Sequence, residues 1–254
     1  MSQPFSPTEV EHPVPRHIAI IMDGNNRWAR RSGLPSAAGH RAGVEAVRRV
    51  LEACKSRGVE VLTLFAFSSE NWGRPEPEVR ALMALFSRYL RRELEKLQRD
   101  NIRLRFIGRR DRFSPRMQRL MARTEEATRP NTRATLVLAV DYGGRWDVTQ
   151  AAKALARQVQ QGSLIPDDID ASVLHAATVL SDLPEPDLCI RTGGDQRVSN
   201  FLLWQFAYTE FFFSPYLWPD FDADKVDEAI VEYGQRERRY GVRKTSEPQA
   251  EGVS

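Results

Sequence analysis

Six short apolar runs alternate with longer segments of helical periodicity, and this alternation constrains the fold more than any other feature of the sequence. Most of the runs are almost continuously apolar, as expected for parallel strands that are covered on both faces. The fold class expected is α/β, a single domain with a central, mostly parallel six-stranded sheet covered by helices. Strands are predicted at 17–22, 59–67, 102–107, 134–140, 187–190 and 208–213, and helices at 41–57, 77–99, 114–128, 145–161, 171–180, 198–206 and 222–239.

The composition limits the classes of protein to consider. With 254 residues, 41% of them hydrophobic, the chain is long enough for one large domain with its own core. Its 37 basic and 34 acidic side chains leave a formal charge of +3, which is too small to require a nucleic-acid partner. Cys54 and Cys189 form no CxxC motif, so we expect two buried thiols rather than a disulfide framework or a zinc site.

No segment has the features of a secretory signal or a membrane span. Residues 1–16 contain four prolines and no apolar stretch. The most apolar later segment, 201–218, is interrupted by Gln205, Glu210 and Pro215, and is shorter than the ~20 uninterrupted apolar residues that a spanning helix needs. We therefore expect a cytoplasmic protein.

The first strand ends at an aspartate, Asp23, which is followed by a turn-like segment containing Gly24, Asn25, Arg27 and Trp28. Open α/β sheets bind ligands at the carboxyl ends of their strands. The turn resembles an anion nest, to which an arginine adds a bidentate phosphate contact. No Walker Lys-Ser/Thr follows, so it is not a nucleotide P-loop. A turn or helix-cap aspartate would show the same local pattern.

Three further loops carry polar residues just after predicted strands. In the segment 65–78, a capping box accounts for part of the serine and glutamate content but not for Asn71 and Arg74 beside a tryptophan. In the segment 141–147, Asp141 fits a simple helix cap. In the segment 191–199, the arginines suit a diphosphate and the glycines permit close approach of a ligand. One loop offering an acid and another offering arginines suggest a phosphorylated substrate with a metal ion.

The predicted helix at 77–99 has an apolar face with residues at helical spacing. Such a face packs in a hydrophobic core, and a helix that also lined an apolar ligand channel would show the same pattern. The periodicity does not separate these two interpretations.

Together, five blocks of the chain resemble the cis-prenyltransferase family. They occur in family order and span residues 17 to about 241: HIAIIMDGNNRWA, GHRAG, LTLFAFSSENWGRP, DYGGRWD and the long block from 187 to 221. The resemblance implies a catalytic domain over 16–242, flanked by disordered tails at 1–15 and 243–254. It also implies a homodimer, and an Mg²⁺-dependent condensation of isopentenyl diphosphate onto an allylic diphosphate such as farnesyl diphosphate. Peripheral contact with a membrane at product release is compatible with this chemistry.

The resemblance assigns roles to residues that match the family motifs. Asp23 and Asn71 are implied as catalytic residues, and Asp23 and Glu210 as the carboxylates associated with the metal. Arg239, Tyr240 and Gly241 match an Arg-x-Gly motif that reaches the partner's active site. The implied substrate-binding residues are Gly24, Asn25, Arg27, Trp28 and His40 near the allylic diphosphate, Ser68, Trp72 and Arg74 in a closing loop, and Arg191, Arg197 and Ser199 at the isopentenyl diphosphate.

Three positions depart from the family pattern. Asn26 stands where glycine is frequent, Ser36 where many relatives carry arginine, and Asp195 where glutamate is usual. One phosphate contact is therefore expected to be missing, or to come from Arg30, Arg31 or Arg41.

The family also contains non-catalytic partner subunits. The presence of Asp23, Arg191, Arg197 and the Arg-x-Gly ending favours a self-sufficient enzyme. An RNA-binding module is favoured only by the isoelectric point near 9.0. Product length and the preferred allylic primer are not fixed by the sequence.

Overall fold

The computed structural model describes residues 13–236. The Arg-x-Gly motif at 239–241, the predicted tail at 243–254 and most of the predicted tail at 1–15 lie outside the described residues.

The six predicted strands form one sheet in which every neighbouring pair is parallel. The expected α/β class with a central parallel sheet is therefore confirmed. The strand order is β3-β4-β2-β1-β5-β6, so the first strand lies inside the sheet with β2 on one side and β5 on the other. The strands are β1 (His17–Ile21), β2 (Val61–Ser68), β3 (Ile102–Ile107), β4 (Ala134–Tyr142), β5 (Leu188–Arg191) and β6 (Glu210–Phe213).

The chain builds the sheet outward from β1 in both directions. Strands β2 to β4 lie on one side of β1, and β5 and β6 lie on the other. Such a change of direction opens a crevice at the carboxyl ends of the two adjacent strands, here β1 and β5, and ligands of open α/β sheets bind in this crevice.

Helices connect the strands, as the periodicity predicted. The α-helices are α1 (Asn25–Arg31), α2 (Ser36–Ser56), α3 (Glu76–Arg99), α4 (Pro115–Thr128), α5 (Gly144–Gln160), α6 (Ala171–Ala177) and α7 (Ala223–Gln235). Short 3₁₀ helices occur at Ser69–Gly73, Pro166–Asp168 and Trp218–Asp220. None of the helices within 13–236 combines the length and the apolar composition needed to cross a membrane.

Three predictions of local structure were wrong. Asp141 does not cap a helix, because it lies within β4 and the residue at the N-cap of α5 is Gly143. The segment 198–206 contains turns instead of a helix, because Ser199, Asn200 and Leu202 have positive φ angles of 48°, 63° and 38° that an α-helix does not accommodate. The segment after Asp23, predicted as a turn, is the start of α1.

The core has two layers, one on each face of the sheet. Along β1, Ile18 and Ile20 join a cluster with residues of α2, α3, α4 and α7, whereas Ala19 and Ile21 join a second cluster with the segment 201–206. This alternation follows from the two-residue period of a strand. Cys54 and Cys189 are buried free thiols in the two clusters, as predicted.

Candidate active site

Asp23 lies in the crevice between β1 and β5, where its carboxylate meets two arginines. Ile21 and Arg191 are paired at the ends of these strands. Arg191 Nη2 donates to Asp23 Oδ2 (2.9 Å), and Arg27 Nη2 lies 3.1 Å from Asp23 Oδ1. Burial is the largest single influence on the pKa of Asp23 and raises it, but the two guanidinium groups together outweigh burial and lower the pKa below 3.8. Asp23 is therefore an ionised carboxylate at neutral pH.

The backbone of Asp23 is held by Thr192, a residue that the sequence reasoning did not single out. The amide of Asp23 donates to Thr192 Oγ1 (2.9 Å), and this hydroxyl donates to the carbonyl of Asp23 (2.7 Å). The amide of Trp218 donates to the same carbonyl (2.9 Å). The only sequence signal for Thr192 is its position between Arg191 and the glycine pair.

The first helix starts directly after Asp23, because glycine permits the sharp change of direction there. Gly24 has φ of 111°, and a Cβ atom at this position would lie 2.9 Å from the Cα atom of Leu217. Trp28 Nε1 donates to Asp220 Oδ1 (2.7 Å) and Arg31 Nη2 donates to Asp220 Oδ2 (2.5 Å). These bonds fix α1 against the Trp218–Asp220 helix, so the indole N–H of Trp28 already has a protein partner.

The loop after β5 brings arginines and a second carboxylate to Asp23. Arg191 Nη1 donates to Ser199 Oγ (2.7 Å) and to the carbonyl of Arg197 (2.5 Å). Asp195 Oδ2 lies 2.9 Å from Arg197 Nη2 and 3.4 Å from Arg191 Nη2. The side chain of Arg191 is only 4% exposed, whereas that of Arg197 is 62% exposed. The loop therefore combines a buried guanidinium with an exposed one that pairs with Asp195.

Arg27 links the two loops of the crevice. Its Nη1 donates to the carbonyl of Gly193 (2.6 Å), and its Nη2 lies 3.9 Å from Asp195 Oδ2. A Cβ atom at Gly193 would lie 2.4 Å from Arg27 Nη2, so only glycine leaves room for this contact. Three arginines and two carboxylates thus converge here, with an excess of positive charge that suits an anionic ligand.

Two of the three departures from the family pattern contact each other. Ser36 Oγ donates to Asn26 Oδ1 across the start of α1 and α2. Arg30, Arg31 and Arg41 were the arginines expected to supply the phosphate contact that Ser36 does not make. Arg31 is bound to Asp220, whereas Arg30 and Arg41 are exposed.

The closing-loop residues lie beyond the end of β2, next to β1 in the sheet. Ser68 and Asn71 cap one another, with the amide of Ser68 donating to Asn71 Oδ1 (3.1 Å). The ring of Trp72 packs against Phe67 and Phe113, at centroid distances of 5.0 and 5.6 Å. These contacts fix the Ser69–Gly73 helix at the sheet edge.

Two site residues connect the polar crevice to an apolar cavity. Asn25 and His40 line this cavity, and Asn25 Oδ1 and His40 Nε2 are buried without a hydrogen bond. Burial, and next the nearby positive charge of Arg74, lowers the pKa of His40, so its imidazole is neutral at pH 7. Arg74 itself is paired with Glu78 (3.0 Å).

The apolar cavity lies between α2, α3 and the sheet. Its volume is about 110 Å³, and its mouth is open to solvent. From α3 it is lined by Leu82, Met83, Leu85, Phe86 and Tyr89. The apolar face of this helix therefore lines the cavity and also packs in the core, where it contributes residues such as Leu90 and Leu97.

The structure does not bring the two implied metal carboxylates together within one chain. Glu210 begins β6 opposite Leu188 and pairs with Arg236 (2.9 Å), whereas Asp23 lies beyond the other end of the parallel strands. The strand register was not available from sequence, so this separation was not foreseen. Within 13–236 no three His, Cys, Asp or Glu side chains are grouped to hold a metal. Mg²⁺ sites often use only one or two carboxylates together with substrate phosphates, and Asp23 fits that type of site.

Comparisons with known proteins agree with this geometry. A family model described as "Putative undecaprenyl diphosphate synthase" matches residues 21–241. The chain is 58% identical over 234 residues to a Pseudomonas aeruginosa protein named ditrans,polycis-undecaprenyl-diphosphate synthase ((2E,6E)-farnesyl-diphosphate specific), with 92% of each chain covered. It is 55% identical over 246 residues to a protein of the same name from Pseudomonas putida, covering 97% of this chain and 96% of the relative.

A solved structure with a similar fold is that of lavandulyl diphosphate synthase from Lavandula x intermedia, in complex with dimethylallyl diphosphate. It superposes with a TM-score of 0.87 at 36% identity, over 90% of this chain and 98% of the other. Because the family model spans most of the chain and the relatives are similar along nearly their whole length, this protein belongs to the cis-prenyltransferase family.

Proposed function

We propose that this protein condenses isopentenyl diphosphate, head to tail and repeatedly, onto farnesyl diphosphate. The new double bonds are cis and the product is undecaprenyl diphosphate, a lipid carrier precursor for cell-wall polysaccharides. The names of the Pseudomonas relatives support this choice of primer and product.

One observation carries the proposal: a crevice rich in arginine lies directly beside an apolar cavity. Asn25 and His40 stand at the boundary between the two. A prenyl diphosphate has the same division, with an anionic head and a hydrocarbon tail. Sheltering the tail from water favours binding by roughly 0.8 kcal/mol per buried CH₂ group. A site for a nucleotide or a sugar phosphate would not need this cavity.

The two diphosphates have separate donors in the proposed complex. The allylic diphosphate lies against Gly24, Asn25 and Arg27, with its tail in the cavity. Isopentenyl diphosphate lies against Arg197, Ser199 and the buried Arg191. The exposure of the Arg197 side chain, which pairs with Asp195 in this loop, supports this assignment, because an anionic ligand reaches it from solvent.

Asp23 is the proposed carboxylate for Mg²⁺ binding, as its low pKa keeps it charged and it faces the diphosphate crevice. When bound, the ion supplies positive charge that stabilises the departing diphosphate. We assign no metal contact to Glu210 of the same chain, because its position on β6 and its pairing with Arg236 separate it from Asp23.

In the proposed reaction, the bond between the allylic carbon and the diphosphate oxygen breaks, and the double bond of isopentenyl diphosphate attacks this carbon. A proton then leaves the new chain. The arginines stabilise charge on the leaving diphosphate, which is a preorganised electrostatic contribution. Holding two anions in line offsets their mutual repulsion and the entropy of bringing them together. Neutral His40 and the amide of Asn25 orient the first part of the hydrocarbon.

We also propose a homodimer in the cytoplasm, in which the Arg-x-Gly motif at 239–241 reaches the partner's site. Analytical ultracentrifugation of the full chain tests the dimer, and a monomer at micromolar concentration would contradict it.

The function is tested by incubating the purified full chain with radiolabelled isopentenyl diphosphate, farnesyl diphosphate and Mg²⁺. We expect labelled polyprenyl diphosphates, with a dominant product of fixed length and no product in EDTA. The absence of product from the homogeneous protein, together with activity on adding a second subunit, would instead identify a non-catalytic partner subunit.

A further inference from the structure

A basic groove on the protein surface lies between α3 and the start of α4. It encloses about 490 Å³ and is open to solvent. Arg88 and Arg91 line it from α3, Arg116 lines it from α4, and Met83 and Met117 are also among its lining residues. No acidic side chain lines the groove, so its charge is uncompensated.

The three arginines are not used to stabilise the described part of the fold. Elsewhere on α3, Arg80 pairs with Glu76 and Arg92 reaches Glu45 on α2. In contrast, the structure over 13–236 gives the three groove arginines no hydrogen bond or ion pair.

The position of Arg116 is also unfavourable for its own helix. It lies in the first turn of α4, directly after Pro115. A positive charge near a helix N-terminus is destabilising, because it opposes the helix dipole. Helix stability therefore does not explain an arginine at this position, whereas an interaction with a partner outside the chain does.

The groove adjoins the apolar cavity of the candidate active site. Met83 lines both the cavity and the groove, so the two share a flexible side chain. A neighbouring surface cleft, lined by Trp72 and Arg112, shares Met83 and Met117 with the groove. The cavity therefore comes closest to this basic surface at Met83.

We propose that the α3–α4 groove docks on an anionic phospholipid bilayer, so that a long hydrocarbon product passes Met83 directly into lipid. This inference rests on the proposed function, which supplies the hydrocarbon. A bilayer fits better than an acidic protein partner, because it provides both negative charge for the arginines and an apolar phase for the chain leaving the cavity. The contact is peripheral and electrostatic, and therefore sensitive to salt.

The test measures co-sedimentation of the full chain with vesicles, without substrates. Vesicles of phosphatidylglycerol and phosphatidylcholine are compared with vesicles of phosphatidylcholine alone. The groove variant carries Arg88→Glu, Arg91→Glu and Arg116→Glu. A matched control reverses the same number of charges at exposed arginines away from the groove, namely Arg99→Glu, Arg133→Glu and Arg157→Glu.

We expect the wild type to bind only the anionic vesicles, and 0.5 M salt to release it. Each arginine near an anionic surface strengthens binding about fivefold, so the groove variant should bind at least roughly a hundredfold more weakly. The control should stay within about tenfold of the wild type. Equal losses in both variants, or unchanged binding by the groove variant, would overturn the proposal. Binding of poly-glutamate by the wild type, together with no binding of the anionic vesicles, would overturn it in favour of an acidic protein partner.

Failure of the proposed function gives a different result. The groove arginines lie outside the crevice, so the groove variant should add isopentenyl units in detergent solution at the wild-type rate. A chain that binds vesicles through the groove but makes no polyprenyl product would refute the proposed function and keep the docking surface. A melting temperature equal to that of the wild type checks that the variants are folded.

Discussion

Replacing Asp23 by alanine should nearly abolish turnover and leave binding of the allylic diphosphate largely intact. The carboxylate accepts a hydrogen bond from Arg191 at 2.9 Å and forms an ion pair with Arg27 at 3.1 Å, and it is the proposed metal ligand. Losing one preorganised electrostatic contact lowers kcat by about 10²- to 10³-fold. Binding of the diphosphate itself should not weaken much, because the alanine leaves both arginines free and removes a negative charge from the crevice.

The structure also limits the effect of this substitution on stability. Arg191 is nearly buried, and a buried polar group that loses its partner typically destabilises a protein by about 1–3 kcal/mol, or by more when it is charged and keeps no other partner. Asp195 lies 3.4 Å from the same guanidinium nitrogen and compensates in part, so the lower end of that range is expected. For a chain of this size, that corresponds to a decrease of roughly 2–4 °C in the melting temperature.

The assay measures kcat at saturating Mg²⁺ and both substrates, with calorimetric binding of a thiodiphosphate analogue of the primer. Asp195→Ala is the matched control, since it removes a neighbouring carboxylate from the same arginines and should reduce kcat much less. If Asp23→Ala retains more than a tenth of the wild-type kcat, or if its loss of activity equals the loss of analogue binding, the role assigned to Asp23 is wrong.

Arg197→Ala should raise the KM for isopentenyl diphosphate much more than that for the allylic substrate, and equal increases in steady-state kinetics would show that this loop does not distinguish them. Ala66 lines the cavity, so Ala66→Phe should shorten the dominant product, whereas Ala81→Phe on the exposed side of α3 should leave its length unchanged. An unchanged product length in both variants would show that the cavity does not hold the growing chain. Asp141→Asn should raise the melting temperature, because both carboxylate oxygens of Asp141 are buried without a hydrogen bond and asparagine tolerates the φ of 47° at this position. A lower melting temperature would mean that the contact of Asp141 with the guanidinium of Arg112 stabilises the fold. Because the pKa of Asp23 is lowered in the folded state, its ion pairs contribute stability above pH 3.8, and this stability is lost as the pH falls through the folded-state pKa. The difference in melting temperature between the wild type and Asp23→Asn should therefore stay constant above pH 5 and shrink on acidification below about pH 4.

The sheet was predictable from sequence because its strands are fully buried. Runs such as those around Ile20, Leu64 and Leu138 are apolar on both faces, a pattern that few other structures produce. The same reasoning placed Asp23 and Arg191 at strand ends and predicted that they share one edge of the sheet. Their direct contact at 2.9 Å agrees with that prediction.

Tertiary contacts account for what sequence reasoning missed. Helix α1 has only seven residues and a turn-like start, and its bonds to Asp220, far along the chain, stabilise it. The segment 198–206 has helical periodicity but is held in turns, partly by Asn200, whose side chain bonds to Glu70 and to the amide of Arg145. The position of Glu210 depends on strand register, which apolar runs do not encode.

The most direct test of the account is a crystal structure of the full chain with a thiodiphosphate analogue of farnesyl diphosphate, isopentenyl diphosphate and Mg²⁺. We predict that the farnesyl tail lies between α2 and α3, beside Ala66 and Phe86, with one diphosphate at Arg27 and the other at Arg197. A farnesyl tail outside this cavity, or both diphosphates bound away from the crevice between β1 and β5, would contradict it.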